Sequence, residues 1–198
     1  MAGRYLETYF TPEALAAQQH YFGRSQAIAP PPARDPLTLE EAEFIADRDS
    51  FYLATVTSDG WPYVQHRGGR RGFLHVVGPH SLAFADYTGN RQMLSTGNLA
   101  SGGRVALFLM DYPRRERLKI VGHASVADAR AHPELVTQFA EAADRKLVER
   151  IFLIDVISFD WNCPKYITPR FTAAEVETTV APLRQRIAEL EAQLKLRD

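Results

Sequence analysis

The chain has 198 residues, 45% of them hydrophobic, enough for one well-buried core but short for two independent domains. Its 23 lysines and arginines against 24 acidic residues leave no overall field that would draw nucleic acid or an anionic membrane surface, so an anion must be held by a local cluster. The longest apolar runs fall far short of the roughly 20 residues of a bilayer span, and Met1-Ala-Gly-Arg-Tyr-Leu-Glu has no apolar signal region, so a cytoplasmic protein is expected.

Thr11-Pro12-Glu13 is a helix-start signal and predicts a helix over 11–22. Four prolines between Ala29 and Pro36 then favour an extended arm or linker. Thr38-Leu-Glu-Glu41 has the form of a capping box, and Ala42, Phe44 and Ile45 give the following helix an apolar side. From residue 51 the pattern changes to strands. Two hairpins are predicted, 51–57 with 61–67 around Ser58-Asp59-Gly60, and 73–77 with 81–86 around Gly78-Pro79-His80.

Arg91–Ser95 is a short helical candidate, strands are expected at 104–110, 118–127 and 151–161, and a helix at 133–146. About six strands or slightly more, with short turns and helices at the margins, suit a mainly β fold, a small closed or split barrel. The organisation read from this pattern is an N-terminal helix and proline-rich arm over 1–36, a barrel over 37–171, and a C-terminal amphipathic helix over 172–198. In that last helix Leu183, Ile187, Leu190 and Leu194 recur at spacings of a short coiled coil, of a docking helix, or of a helix packed on its own domain. Two heptads are too few to hold a dimer alone.

The segment Phe84-Ala-Asp-Tyr-Thr-Gly-Asn-Arg-Gln92 ends a strand in a glycine-containing turn and delivers Arg91 toward a short helix, a setting that suits phosphate. On the motif alone, a solvated Arg91 in an ordinary strand–turn–helix is the competing reading. A second cationic group, Gln65, His66, Arg67, Arg70 and Arg71, surrounds two glycines that would let a flat ligand approach the backbone, or it is a solvated loop. His66 and Arg67 point to opposite faces of a regular strand, so one of them at most faces a given pocket. The six histidines show no metal-ligand spacing, so no metal is expected, and the single cysteine, Cys163, reads as a buried or inert thiol. No catalytic triad, GxGxxG or P-loop occurs, so any chemistry must come from a cofactor.

Taken together, Ala54–Arg67 with its Asp-Gly-Trp-Pro turn, Phe84–Gln92 and Arg104–Leu109 resemble the pyridoxamine 5'-phosphate oxidase-related FMN-binding family over about residues 40–170. The resemblance implies an FMN-binding split β-barrel and a homodimer with flavin at the subunit interface. It places Gln65, His66, Arg67 and Gly68 along the flavin ring and ribityl edge, followed by Ala85 and Asp86 on the neighbouring strand. Asn90, Arg91 and Gln92 match the phosphate segment, with Asn90 and Gln92 departing from the family's usual serine and lysine, which shifts charge compensation onto Arg67, Arg70 or Arg71.

The ending Asp160-Trp-Asn-Cys-Pro-Lys-Tyr-Ile-Thr-Pro-Arg170 lacks the arginine-containing substrate signature of the true oxidases, and Trp161 and Arg170 are expected to reach the partner's flavin or else to be a core tryptophan and a surface arginine. The implied function is an FMN-dependent oxidoreductase acting on a small-molecule substrate or electron donor. A relative using F420 or haem, and a non-catalytic flavin-binding or redox-sensing protein, are the alternatives.

Overall fold

A computed structural model describes residues 3–162 and 164–195; Cys163, expected to be a buried or inert thiol, lies outside them. Its contacts divide the chain into two units, residues 1–110 with 117–163, and residues 111–116 with 164–198. The first unit opens with α1 (Gly3–Tyr9), α2 (Pro12–Phe22) and α3 (Leu39–Ala46). The Thr11 hydroxyl accepts the Ala14 N–H at 3.3 Å to start α2, and Gly23, at φ 69°, ends it.

Glu41 closes the N-terminus of α3 by accepting the Thr38 N–H at 2.9 Å and its hydroxyl at 2.6 Å. Between α2 and α3 the proline-rich arm is extended as expected, but its end is stitched to the fold. The Asp35 N–H donates to the Ile157 carbonyl at 3.0 Å, and Ser158 donates to the buried Asp35 carboxylate at 2.7 Å.

Seven strands follow: β1 (Ser50–Val56), β2 (Pro62–Gly68), β3 (His75–Gly78), β4 (Ser81–Tyr87), β5 (Arg104–Asp111), β6 (Glu116–Asp128) and β7 (Val148–Trp161). They form one sheet in the order β2-β1-β5-β6-β7-β4-β3, in which the sequence neighbours β2 and β3 lie at the two ends. The fold is a split β-barrel, mainly antiparallel, with helices at its margins.

The interior follows from alternation along the strands. Phe51 and Leu53, Leu82 and Phe84, Leu107 and Leu109, Leu118 and Ile120, and Phe152 and Ile154 share one core. The Phe84 ring stacks on Phe152 at 4.8 Å and meets Phe51 edge-on at 5.3 Å. The alternate residues of β4 and β7, Ala83, Ala85 and Ile151, face the other way and pack with Val136 and Phe139 of α5 (Pro133–Phe139). One glycine is required by close approach: at a bulge in the β6–β7 pairing, a Cβ on Gly122 would sit 2.2 Å from the Asp155 carbonyl oxygen.

The helix expected over 133–146 is shorter than its pattern. α5 ends at Phe139, Ala140 is extended, and only a single 3₁₀ turn, Arg145–Leu147, follows. Arg145 reaches back to the carbonyls of Thr137 and Ala140, each at 3.3 Å, and satisfies acceptors that a continuing helix would have used itself. In the second unit, α6 (Ala173–Lys195) starts from a Thr172–Glu175 capping box, has no buried residue, and contains Pro182. No helix among the described residues is long and apolar enough to cross a membrane.

Candidate cofactor-binding site

Strand alternation that fills the barrel with apolar side chains brings three charged ones to its mouth. Asp86 continues the inward row of Leu82 and Phe84 on β4, Arg150 precedes Phe152 and Ile154 on the inward row of β7, and the β4–β7 register sets Asp86 opposite Arg150. Arg67 lies in the partly shielded row of β2, Tyr63, Gln65 and Arg67, which alternates with exposed Val64 and His66.

The Asp86 carboxylate accepts from Arg67 Nη1 at 2.5 Å and from Arg150 Nε and Nη2 at 2.9 and 2.7 Å. All three side chains are largely shielded, at 8, 14 and 16% exposure, so the pairing replaces water that each charge has lost. The Arg67 guanidinium also lies 5.1 Å from the Phe152 ring centroid, an attraction between cation and ring face that seats it on the core.

The other wall is the loop between β4 and α4 (Leu94–Ala100). The Asn90 side-chain oxygen accepts the Gln92 N–H at 3.1 Å, an Asx-type turn, while Arg91 and Met93 hold left-handed φ values of 60° and 56°. Such backbone costs about 1–2 kcal/mol per non-glycine residue. α4 begins at Leu94, so the helix expected over Arg91–Ser95 starts three residues later and runs on to Ala100, and Arg91 belongs to the strained loop. Ser95 bonds Gln65 at 3.1 Å and Asn98 bonds Thr55 at 2.9 Å, which pins α4 to β1 and β2.

These walls enclose a cavity of about 150 Å³. Three arginines, Arg67, Arg91 and Arg150, face it with one aspartate, Asp86, a net charge of +2 on the lining. Arg150 also touches Glu149 at 3.0 Å. Among the described residues, no side chain pairs with exposed Arg91. Tyr87 completes the lining as a neutral phenol, its pKa pushed up by burial and further by the charge of Asp144.

Of the residues expected to bind cofactor, Gln65, Arg67, Asp86, Asn90, Arg91 and Gln92 meet in this cleft. His66 is on the opposite face of β2, edge-on to Tyr52 at 5.7 Å, and Gly68 is at the exposed end of that strand. Ala85 lies in the core beneath α5. Trp161 packs edge-on to Phe44 at 4.8 Å and donates its indole N–H to Glu41 at 2.7 Å, within its own chain. Arg170 belongs to the second unit, its guanidinium 5.0 Å from the Tyr112 ring.

Arg70 pairs with Glu141 and Asp144, and Arg71 with Asp47, so both are engaged away from the cleft. Arg150, which the sequence did not single out, lines the cleft instead. Sequence reasoning missed it because strand pairing, not spacing, brings it to Asp86.

The model of the pyridoxamine 5'-phosphate oxidase family matches residues 37–159, and the chain belongs to that family. No curated protein matches the sequence closely enough to count as a relative. Among solved structures, a candidate pyridoxamine 5'-phosphate oxidase from Lactobacillus delbrueckii is similar at 22% identity and a TM-score of 0.49, covering 64% of this chain and 94% of that one. An FMN-binding protein from Syntrophomonas wolfei has 11% identity and a TM-score of 0.44 over 63% of this chain and 86% of its own. HutZ, the haem-storage protein of Vibrio cholerae, has 17% identity and a TM-score of 0.42 over 61% of this chain and 90% of its own.

Proposed function

We propose that the protein is an FMN-binding flavoprotein that works as a homodimeric oxidoreductase on a small-molecule substrate. The observation that carries the cofactor reading is Arg91, unpaired among the described residues and held in a strained loop at the rim of a cleft lined with net charge +2. A phosphate monoester carries about −1.5 to −2 at neutral pH, so its charge complements that lining. Arg91 and Arg150 would hold the phosphate, Asn90 and Gln92 would donate amide hydrogens to it, and Gln65 and Arg67 would bond the polar edge of the ligand.

The flavin, when bound, supplies the hydride or electron transfer. The chain's own part is to bind, orient and shield it. Asp86 takes no part as a base, because it serves as the shared counter-ion of two arginines.

The cleft is smaller than the roughly 300–1,000 Å³ of sites that enclose a whole ligand, so the ring system needs a wall from elsewhere. That supports a second subunit. So does the outer face of β1 and β2, where Tyr52, Val56 and Val64 are exposed together beside an apolar groove of about 660 Å³. Absorption spectra of the purified protein, followed by denaturation and chromatography of the released ligand, test the assignment. Oxidised-flavin bands and free FMN are expected; FAD, F420 or haem in its place overturns the cofactor, and a flavin-loaded protein that reduced nicotinamides fail to turn over favours a binder.

A further inference from the structure

α6 is a 23-residue helix without a buried residue, although one side of it is apolar throughout. Val176, Val180, Leu183, Ile187, Leu190 and Leu194 follow one another at alternating spacings of four and three, the a/d repeat of a coiled coil. Five of the six are exposed, from 42% at Leu190 to 62% at Leu194. The a positions hold Val180, Ile187 and Leu194 and the d positions Val176, Leu183 and Leu190, so the middle of the seam, Val180 to Leu190, has β-branched residues at a and leucine at d. β-Branched residues at a with leucine at d favour two parallel strands. Pro182 occupies position c, on the outside of such a pair, where it interrupts the helix without entering the seam.

The flanking charges choose the orientation. Positions e are Glu177, Arg184 and Glu191, and positions g are Thr179, Arg186 and Gln193. In a parallel pair a g residue meets the e residue of the next heptad on the other helix, so Arg186 meets Glu191 twice across the two-fold axis. An antiparallel pair sets g against g, where Arg186 finds no acid, and e against e, where Arg184 would meet Glu191 only by giving up Glu177, both of whose oxygens it already bonds at 2.9 and 3.0 Å. Arg186 bonds Glu189 of its own helix at 3.0 Å, but it stays 60% exposed, and so weak a surface contact leaves it free to share Glu191.

We infer that α6 is a dimerisation element that pairs in parallel, in register, with α6 of a second copy of this chain. The inference rests on the barrel dimer proposed above, because two heptads beyond Pro182 are marginal alone and need the high local concentration that a dimer supplies.

The test uses the full chain in a Cys163→Ser background, with single cysteines at Leu183→Cys and Leu190→Cys in the seam and at Ala192→Cys on the outside. Under mild oxidation both seam cysteines should cross-link chains, and much faster than the outer one. Adding Arg186→Glu should slow the reaction at position 190, and Arg186→Glu with Glu191→Arg should restore it. Light scattering on the reduced proteins separates the two claims. A dimer in which position 190 cross-links no faster than position 192 overturns the paired helix and leaves the barrel dimer standing; a monomer overturns both.

Discussion

Arg67 on β2 and Asp86 on β4 meet at 2.5 Å although four strands separate β2 from β4 in the order of the sheet. The contact exists because the sheet curls, and it marks where the barrel mouth is drawn together. Asp86 also binds Arg150, so one buried carboxylate joins three strands and sets the position of two cationic groups on the cleft wall.

Replacing Asp86 by alanine leaves two largely buried guanidiniums facing each other. Loss of one partner of a buried pair costs about 3–5 kcal/mol, so Asp86→Ala should be destabilised on that scale in urea unfolding at neutral pH. A loss below ~1 kcal/mol, the usual worth of an exposed pair, would mean that water already screens the three groups.

Arg91 separates function from stability. Arg91→Ala should weaken FMN binding by roughly ten- to a hundred-fold, or about 1.5–3 kcal/mol, with little change for riboflavin, which has no phosphate. Arg91→Gly should lose the same affinity and yet leave the ligand-free protein as stable or stabler by up to ~1 kcal/mol, because glycine accepts φ near +60°. Titration of both ligands and thermal unfolding of both variants check this; equal losses for FMN and riboflavin would make Arg91 a structural residue.

Glu41 links stability to pH. Burial works against its charge, but hydrogen bonds from Thr38 and Trp161 outweigh it and hold the carboxyl below its ordinary value. A folded-state pKa below that of the unfolded chain contributes stability that is complete above the unfolded value, about 4.3, and is lost as pH falls through the folded one. The gap in stability between wild type and Glu41→Gln should therefore be widest at neutral pH and close below about pH 4. Denaturant titrations across that range read it directly, and a gap that widens on acidification contradicts the assignment.

Arg170 and Arg91 make a test of the shared site. If Arg170 completes the partner's pocket, mixing Arg91→Ala chains with Arg170→Ala chains produces heterodimers in which one pocket carries both lesions and the other neither. About half of the heterodimer's sites should then bind FMN with wild-type affinity. Sites that all stay defective after exchange is verified would place Arg170 within its own subunit's function.

Residue types and their alternation were enough to read the barrel strands, the Thr38–Glu41 cap, the start of α2 and the family, because each depends on neighbours within a few residues along the chain. The same local rule set His66 and Arg67 on opposite faces of β2, and only Arg67 faces the cleft. What tertiary structure decided was which charges meet. Arg70 and Arg71, which the resemblance offered for charge compensation, are claimed by Glu141, Asp144 and Asp47, whereas Arg150 reaches the site from 64 residues beyond Asp86. No periodicity encodes that choice. It depends on the β4–β7 register and on the curl of the sheet, both of which follow from how the whole core packs and not from any one segment.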